Sequence, residues 1–237
     1  MDSIYKKVFT ITNNQLDKND HLTIGSILDI SQEISGNHAD SLNVGFDDLQ
    51  KRKLFWVVVR NHIEVCGNLN VGKALEVETY PLKRRFIEFP REVKIYDNGE
   101  LVAVCNTTWV VLSLEKFELQ NEDLIEENLC LTPSYFDQKF KKLPRKDKGE
   151  LKFVKTEEVT YSMLDHNDHM NNAKYLIWYQ DIFEEERDPK SFQIEYLKQS
   201  MFHEKIDLYV SEGENEKELY GFSGDELKFY CKGIYEN

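Results

Sequence analysis

The sequence predicts an α+β fold in which one plan, a strand followed by a helix and several antiparallel strands, occurs twice. Two segments space their apolar residues as helices do, one after residue 23 and one around residue 178, and runs of strand type follow each of them. An Asn-Gly pair joins two of those runs, which is a strong signal for a hairpin. A polar segment at residues 132–150 separates the two halves.

Composition limits the classes of function. The chain has 237 residues and a formal net charge of -13, which argues against general electrostatic binding of nucleic acid or of a membrane surface. The first residues do not resemble a signal peptide, and no run of about 18 apolar residues occurs. The four cysteines are scattered, as free thiols in a reducing compartment are. We therefore expect a soluble cytoplasmic protein with no membrane anchor and no nucleic-acid partner.

The first half begins with a strand at residues 5–16. Thr23 fits the N-cap of a helix of roughly five turns, because Ile24, Ile27, Leu28 and Ile34 follow at helical spacing. Four strands should come next, and the last two are joined at Asn98-Gly99, where both residues tolerate positive φ. Their expected ranges are 55–65, 74–80, 86–96 and 101–114.

The second half repeats this order. A strand at residues 153–161 precedes a helix at 171–185, whose apolar side chains cover most of its circumference, so we expect a helix buried on nearly all sides. A sheet must then wrap around it, which predicts a tandem (double) hotdog: each half is a curved antiparallel sheet wrapped around a long central helix. The remaining expected strands are 193–199, 205–210, 218–222 and 227–235.

The expected domains are an N-terminal hotdog at residues 1–131, a basic linker at 132–150 and a C-terminal hotdog at 151–237. Charge runs are usually solvated, so a solvated linker is the simpler interpretation. The alternative is a docking patch for an acidic carrier, helped by a second basic group at Lys51, Arg52 and Lys53. The linker's basic residues are Lys139, Lys141, Lys142, Arg145, Lys146 and Lys148.

The densest polar motif is the string Asp165-His166-Asn167-Asp168-His169-Met170-Asn171-Asn172. In an extended segment Asp165, Asn167 and His169 would project to one side, since successive side chains alternate. A carboxylate, an amide and an imidazole could then converge on one substrate atom, as hydrolysis requires. The structural alternative is that Asp165 makes a turn, Asn171 or Asn172 caps the helix, and His169 is a satisfied core side chain.

At these residues the chain resembles the acyl-acyl-carrier-protein thioesterases of plants and bacteria. The resemblance is carried by Asp165-x-Asn167-x-His169-Met170-Asn171-Asn172-x-Lys174-Tyr175, by Gln32-Glu33-x-x-x-Asn37-His38 and by Phe55-Trp56-Val57-Val58-Val59-Arg60, in consistent order over nearly the whole chain. It implies a fatty acyl thioester hydrolase without a cofactor, whose partner is the acyl carrier protein carrying a fatty acyl chain. The matching catalytic residues are Asp165, Asn167 and His169, and the first half, with Trp56, would hold the acyl chain.

One departure from the family pattern bears on mechanism. Where the family has a Glu-Cys pair, this chain has Gln199 and Ser200. A cysteine nucleophile is therefore absent from that site, and Gln199 can hydrogen-bond water but cannot take a proton. We expect Asp165 and His169 to activate water, Gln199 to help position it, and Ser200, Asn171 and Asn172 to contact the substrate. The helix expected to begin near Asn171 would supply N–H donors for the oxyanion.

Other interpretations remain or fail. A calcium loop needs glycine and glutamate where this chain has Met170 and Leu176, and a zinc site at His166 and His169 lacks further ligands, so no metal is expected. A hotdog enoyl-thioester hydratase is the closer rival, although its motif has a proline and another spacing. A catalytically silent acyl-binding hotdog is the third. Chain length, coenzyme A as a side substrate and a homodimer are left open.

Overall fold

A computed structural model describes residues 3–126, 129–136, 142–165, 167–185 and 187–236. The chain divides into two compact units, residues 1–139 and 140–237. Both are α+β and antiparallel, as the sequence predicts. No helix in the described ranges is long and apolar enough to cross a membrane.

The described residues of the first unit form five strands in the order β1-β3-β4-β5-β2, and each neighbouring pair is antiparallel. Helix α1 packs against β1, β3, β4 and β5. The elements are β1 Tyr5–Thr10, α1 Ile24–Ser41, α2 Phe46–Lys51, β2 Leu54–Val65, β3 Ala74–Pro81, β4 Phe89–Asp97 and β5 Glu100–Ser113.

Helix α1 forms where the sequence predicts it. The hydroxyl of Thr23 accepts a hydrogen bond from the N–H of Ser26, which satisfies one of the unpaired donors at the helix start. Ile27, Leu28 and Ile34 are fully buried, so one stripe of the helix faces the sheet. Burying each such side chain contributes about 1.5–3 kcal/mol.

The hairpin between β4 and β5 is confirmed, because Asn98 and Gly99 have φ values of 49° and 83°. Two neighbouring expectations are wrong at their ends. Strand β1 stops at Thr10, and a 3-10 turn at Asn13–Gln15 follows it. Strand β4 begins at Phe89, three residues later than expected, because Phe86 adopts φ 59° inside a turn.

Where the structure describes the second unit, it also has five strands, in the order β7-β10-β9-β8-β6. Its elements are β6 Lys152–Glu158, α3 Tyr175–Phe183, β7 Ser191–Tyr196, β8 Lys205–Glu212, β9 Glu216–Ser223 and β10 Glu226–Ile234. Each neighbouring pair is antiparallel. A 3-10 turn at Tyr161–Met163 and a turn at residues 172–174 lie between β6 and α3.

The second helix differs from the expectation in two respects. It spans nine residues, Tyr175–Phe183, instead of residues 171–185, because the side-chain oxygen of Asn171 binds the N–H of Ala173 and holds a separate turn before the helix. The helix is also not buried on nearly all sides. Ile177, Gln180 and Asp181 form an exposed face.

The buried face of α3 packs on β7 and β10 through aromatic side chains. The ring centroids of Tyr175 and Phe229 lie 4.6 Å apart, and those of Tyr179 and Phe192 lie 5.1 Å apart. Gly233 permits this close approach, since a Cβ atom there would lie 2.3 Å from the Tyr179 hydroxyl. The helix therefore depends on a residue without a side chain on the strand beneath it.

Residues 142–150, the described part of the expected linker, are mostly exposed, and three of their basic side chains contact other parts of the second unit. Lys146 pairs with the buried carboxylate of Glu218 at 2.7 Å, and Arg145 lies over the ring of Tyr230. The ammonium of Lys148 donates to the carbonyl of Gly224 at 2.8 Å. Residues 142–150 are thus tied to the second unit by side chains distant in sequence. Lys139 and Lys141 lie outside the described residues.

Candidate active site

The motif loop is organised by the carboxylate of Asp165. Its Oδ1 atom accepts hydrogen bonds from the N–H of Asn167 at 2.7 Å and from the N–H of His169 at 3.3 Å. The N–H of Asp165 in turn donates to the carbonyl of His169 at 2.8 Å. Asp165 and His169 are therefore held together at the base of one short loop.

This loop is a tight turn, so the expectation of an extended segment is wrong. Asp168 adopts φ 60°, a left-handed conformation that aspartate tolerates better than most residues. The Asp165 side chain accepts hydrogen bonds from nearby backbone N–H groups, as aspartate often does in turns. Asp165 and His169 therefore meet because the turn closes the loop, and not because alternate side chains of an extended strand project to one side.

The polar groups of the loop differ in exposure. Asn167 is exposed, whereas Asp165 and His169 are half-buried. The ring nitrogens of His169 have no hydrogen-bond partner among the described residues, so the expectation of a satisfied core histidine does not hold there. An imidazole in this position is available to a substrate or a water molecule.

The segment with Gln199 and Ser200 runs antiparallel beside the motif. The N–H of Met170 donates to the carbonyl of Ser200 at 2.9 Å, and His169 forms an isolated β-bridge with Met201. Residues that are thirty positions apart in the sequence thus meet at one place. Four of the expected site positions, Asp165, His169, Gln199 and Ser200, belong to two adjoining segments.

Gln199 and Ser200 point to different environments. Gln199 is exposed, and Ser200 is fully buried. The Ser200 hydroxyl has no hydrogen-bond partner in the described part of the chain; the Tyr175 phenol is a polar neighbour whose contact falls short of hydrogen-bond geometry. Leaving such a group unsatisfied costs about 1–3 kcal/mol. Burial raises the pKa of Tyr175 to about 12, and the neighbouring Ser200 only partly offsets it by acting to lower that pKa.

The expected oxyanion donors at the helix start are mostly engaged. The N–H of Asn171 donates to the carbonyl of Met163 at 2.8 Å, and that of Ala173 donates to the Asn171 side chain at 2.8 Å. Asn171 therefore acts as a turn-forming residue, and its N–H cannot serve an oxyanion. The carbonyl of Asn172 accepts from the hydroxyl of Tyr196 at 2.8 Å. No group in the described residues binds the N–H of Asn172, so this N–H is the donor that the end of the motif can offer to an oxyanion.

Two charged residues beside this loop were missed by the sequence reasoning. Glu204 and Lys228 form an ion pair of 2.9 Å, with exposed side-chain fractions of 18% and 7%. Burial works to raise the pKa of Glu204, but hydrogen bonds from Lys228 and from the N–H of Met201 outweigh it and lower the pKa. A lysine inside the apolar run of β10 was the available sequence signal, because lysine is rarely buried without a partner.

Trp56 lies in a packing cluster of the first unit. Its indole N–H donates to the carbonyl of Val44 at 2.8 Å, and its ring meets those of Phe89 and Trp109 edge to face. The side chain is half-buried against the cluster. Core packing is therefore established for Trp56, and contact with an acyl chain stays a prediction.

The second basic group is paired within the protein. Arg52 and Lys53 bind the carboxylates of Glu122 and Glu115, and Lys51 binds Asp48 at 3.2 Å. These pairs are exposed, so each contributes little to stability and can be exchanged for another partner. In the described residues each of these three cations is therefore paired with a carboxylate.

The zinc alternative involves His166, which lies outside the described residues. Within the ranges that are described, no group of three or more His, Cys, Asp or Glu side chains is arranged to hold a metal ion.

Two family models match the chain. Residues 2–127 match the acyl-ACP thioesterase N-terminal domain, and residues 146–225 match the C-terminal domain of the same family. Oleoyl-acyl carrier protein thioesterases 1 and 2 of Arabidopsis thaliana are 28% and 27% identical over 73% and 93% of this chain. The chain covers 53% and 67% of the lengths of those two relatives.

Solved structures agree on the fold. An acyl-ACP thioesterase from Bacteroides thetaiotaomicron aligns with a TM-score of 0.88 and 21% identity, covering 99% of this chain and 98% of that one. The 12:0-ACP thioesterase from Umbellularia californica aligns with a TM-score of 0.86 and 20% identity, covering 100% and 98%. With both family models matched in order over most of its length, the chain belongs to the acyl-ACP thioesterase family.

Proposed function

We propose that this protein hydrolyses the thioester of a fatty acyl-acyl carrier protein and releases the free fatty acid. The observation that carries the proposal is the closed loop in which Asp165 and His169 meet beside Gln199 and Ser200, in a chain of this family. The acyl carrier protein, which the names of the relatives specify as the carrier of their substrates, would be its partner.

We further propose that the two units are tandem hotdogs. In this arrangement residues 1–131 hold the acyl chain, residues 132–150 connect the halves and residues 151–237 carry the catalytic motif. The support is that each unit, in its described residues, has five antiparallel strands with a helix packed on them.

In the proposed mechanism Asp165 and His169 activate a water molecule. Asp165 binds two N–H groups through Oδ1, which fixes the carboxylate; Oδ2, for which the described residues show no partner, can accept a proton or orient the water. His169, with no ring partner in the described residues, donates to the substrate or to the leaving thiolate. Asn167 is exposed at the loop and can position the water or the carbonyl through its amide.

The developing oxyanion needs donors that are not already used. At the end of the motif the N–H of Asn172 fits this requirement, and the Ser200 hydroxyl is a second, buried donor with no hydrogen-bond partner among the described residues. Gln199 is exposed and can hold water, but it cannot serve as a base. The attack is therefore by water, and no cysteine thioester forms because position 200 is serine.

Thiol release from fatty acyl-acyl carrier protein tests the proposal against its two rivals. A hydrolase releases one free thiol per fatty acid. A hydratase acting on an enoyl thioester would instead remove the enoyl absorbance and release no thiol, and a silent acyl-binding protein would do neither. Either of the last two results, with correctly folded protein, would contradict the proposed function.

A further inference from the structure

The loop from residue 197 to residue 204 connects β7 to β8 and carries Gln199 and Ser200. At its middle it is joined to the motif, since the Ser200 carbonyl accepts the N–H of Met170 and His169 bridges Met201. The positions of Gln199 and Ser200 relative to His169 thus depend on what fixes this loop.

Lys228 holds the start of the loop through its backbone. Its carbonyl accepts the N–H of Leu197 at 2.8 Å and the N–H of Lys198 at 3.1 Å. Lys228 is the extra residue of a β-bulge, because β10 pairs Leu227 with Phe222 and Phe229 with Gly221. A bulge frees its residue from the ladder and redirects its side chain, and bulges are frequent beside active sites.

The same residue holds the end of the loop through its side chain. The ammonium of Lys228 lies 2.9 Å from Oε1 of Glu204, and Oε2 of Glu204 accepts the N–H of Met201 at 2.9 Å. The backbone of Glu204 is itself fixed, because its carbonyl accepts the N–H of Val159 at 2.9 Å. A second carboxylate, Glu226, approaches the ammonium at 3.4 Å but is largely exposed.

We propose that Lys228 and Glu204 are a positioning pair for the reaction. Lys228 binds the start of the 197–204 loop through its carbonyl and the end of that loop through its ion pair with Glu204. Together these contacts hold Gln199 and Ser200 beside His169. This inference rests on the proposed function, in which those residues contact the substrate. Neither Lys228 nor Glu204 needs to touch the substrate in this role.

The test uses the full chain with Lys228→Met, Glu204→Gln and the double variant. Glu204→Gln is the milder change, since the amide oxygen still accepts the Met201 N–H while the charge is lost. Two quantities are measured: steady-state kcat and KM for fatty acyl-acyl carrier protein, and the hydrogen-exchange rate of the Met170 amide. The matched control is Glu216→Gln with Lys232→Met, an ion pair of 2.6 Å that involves the same strand β10.

The expected result is a kcat lower by about 10-fold to 100-fold with KM within about twofold, because small misplacements of catalytic groups cost rate more than binding. The Met170 amide should exchange about tenfold faster than in wild type, and the control pair should change neither quantity. The double variant should lose no more kcat than the worse single variant, since both changes break one chain of contacts.

The inference is overturned if folded Lys228→Met and Glu204→Gln proteins exchange the Met170 amide at the control rate, or if their kcat stays within twofold of wild type. It is also overturned if the control pair lowers kcat equally, which would indicate a general loss of stability. If wild-type protein releases no thiol, the proposed function fails instead, and the exchange rate of Met170 still decides whether the pair fixes the loop.

Discussion

Replacing Asp165 by asparagine separates the two roles that its carboxylate could have. Oδ1 binds the N–H groups of Asn167 and His169, so the side chain shapes the loop whether or not it takes part in catalysis. Asparagine keeps an oxygen of the same size at that position and removes the charge and the basicity. Asp165→Asn should therefore preserve the turn and abolish the proposed proton acceptor.

The magnitudes of the two effects differ enough to be measured apart. Losing a general base costs about 10²–10⁴-fold in rate, which is about 3–5 kcal/mol of transition-state stabilisation. Exchanging charged for neutral hydrogen bonds in the loop costs about 1 kcal/mol of folding free energy or less. Asp165→Ala removes both bonds as well, so it should lose the same activity and about 1–3 kcal/mol of stability.

The assay is single-turnover thiol release from fatty acyl-acyl carrier protein, with urea unfolding of each variant beside it. We expect Asp165→Asn to unfold near the wild-type midpoint and to hydrolyse at least a hundredfold more slowly. If Asp165→Asn hydrolyses within fivefold of wild type at an unchanged midpoint, Asp165 only forms the turn, and the base must be His169 or another group.

Three further predictions concern the second unit. His169→Ala should lower kcat by about 10²–10⁴-fold with little change in unfolding free energy, because the ring has no partner in the described structure; near-normal turnover would exclude it as acid or base. Gly233→Ala should destabilise the protein by about 1–3 kcal/mol in urea unfolding, since its Cβ would meet the Tyr179 hydroxyl at 2.3 Å, and an unchanged midpoint would contradict that packing. Hydrogen bonds from Arg187 lower the pKa of Glu185 to about 2. Because this pKa is lower in the folded state, the ionised Glu185 stabilises the fold above the ordinary carboxyl pKa, and this stabilisation is lost as the pH falls towards 2. At pH 6 wild type should be more stable than Glu185→Gln by about 1 kcal/mol after solvent screening. In urea unfolding this difference should vanish as the pH is lowered to 2.

The features that sequence reasoning predicts well depend on local chemistry. Thr23 caps α1 through the Ser26 N–H, and Asn98-Gly99 turns the β4–β5 hairpin with positive φ at both residues. In each case the stabilising contact lies within a few residues of the pattern that predicts it. The presence of the motif residues in one loop follows for the same reason.

The errors arise where distant or competing contacts decide. Apolar spacing alone cannot show that the Asn171 side chain binds the N–H of Ala173 and holds a separate turn, so that the helix begins only at Tyr175. An alternating polar pattern indicates an extended segment only if no side chain forms hydrogen bonds with the nearby backbone. In this loop the Asp165 side chain forms such bonds, so the segment turns. The linker lysine Lys146 pairs with Glu218, more than seventy residues away, and no local pattern contains that contact. The bulge at Lys228 is set by the register of two strands and is equally invisible in the sequence.

In the proposed mechanism water, activated by the loop of Asp165, Asn167 and His169, attacks the thioester without a covalent acyl-enzyme. Intact-protein mass measurement during a single turnover of fatty acyl-acyl carrier protein tests this most directly. We expect free fatty acid and carrier thiol in equal amounts, with the enzyme mass unchanged at every time. An enzyme carrying the acyl mass, located on Ser200 or any other residue, would contradict it, as would a carrier whose acyl group remains attached.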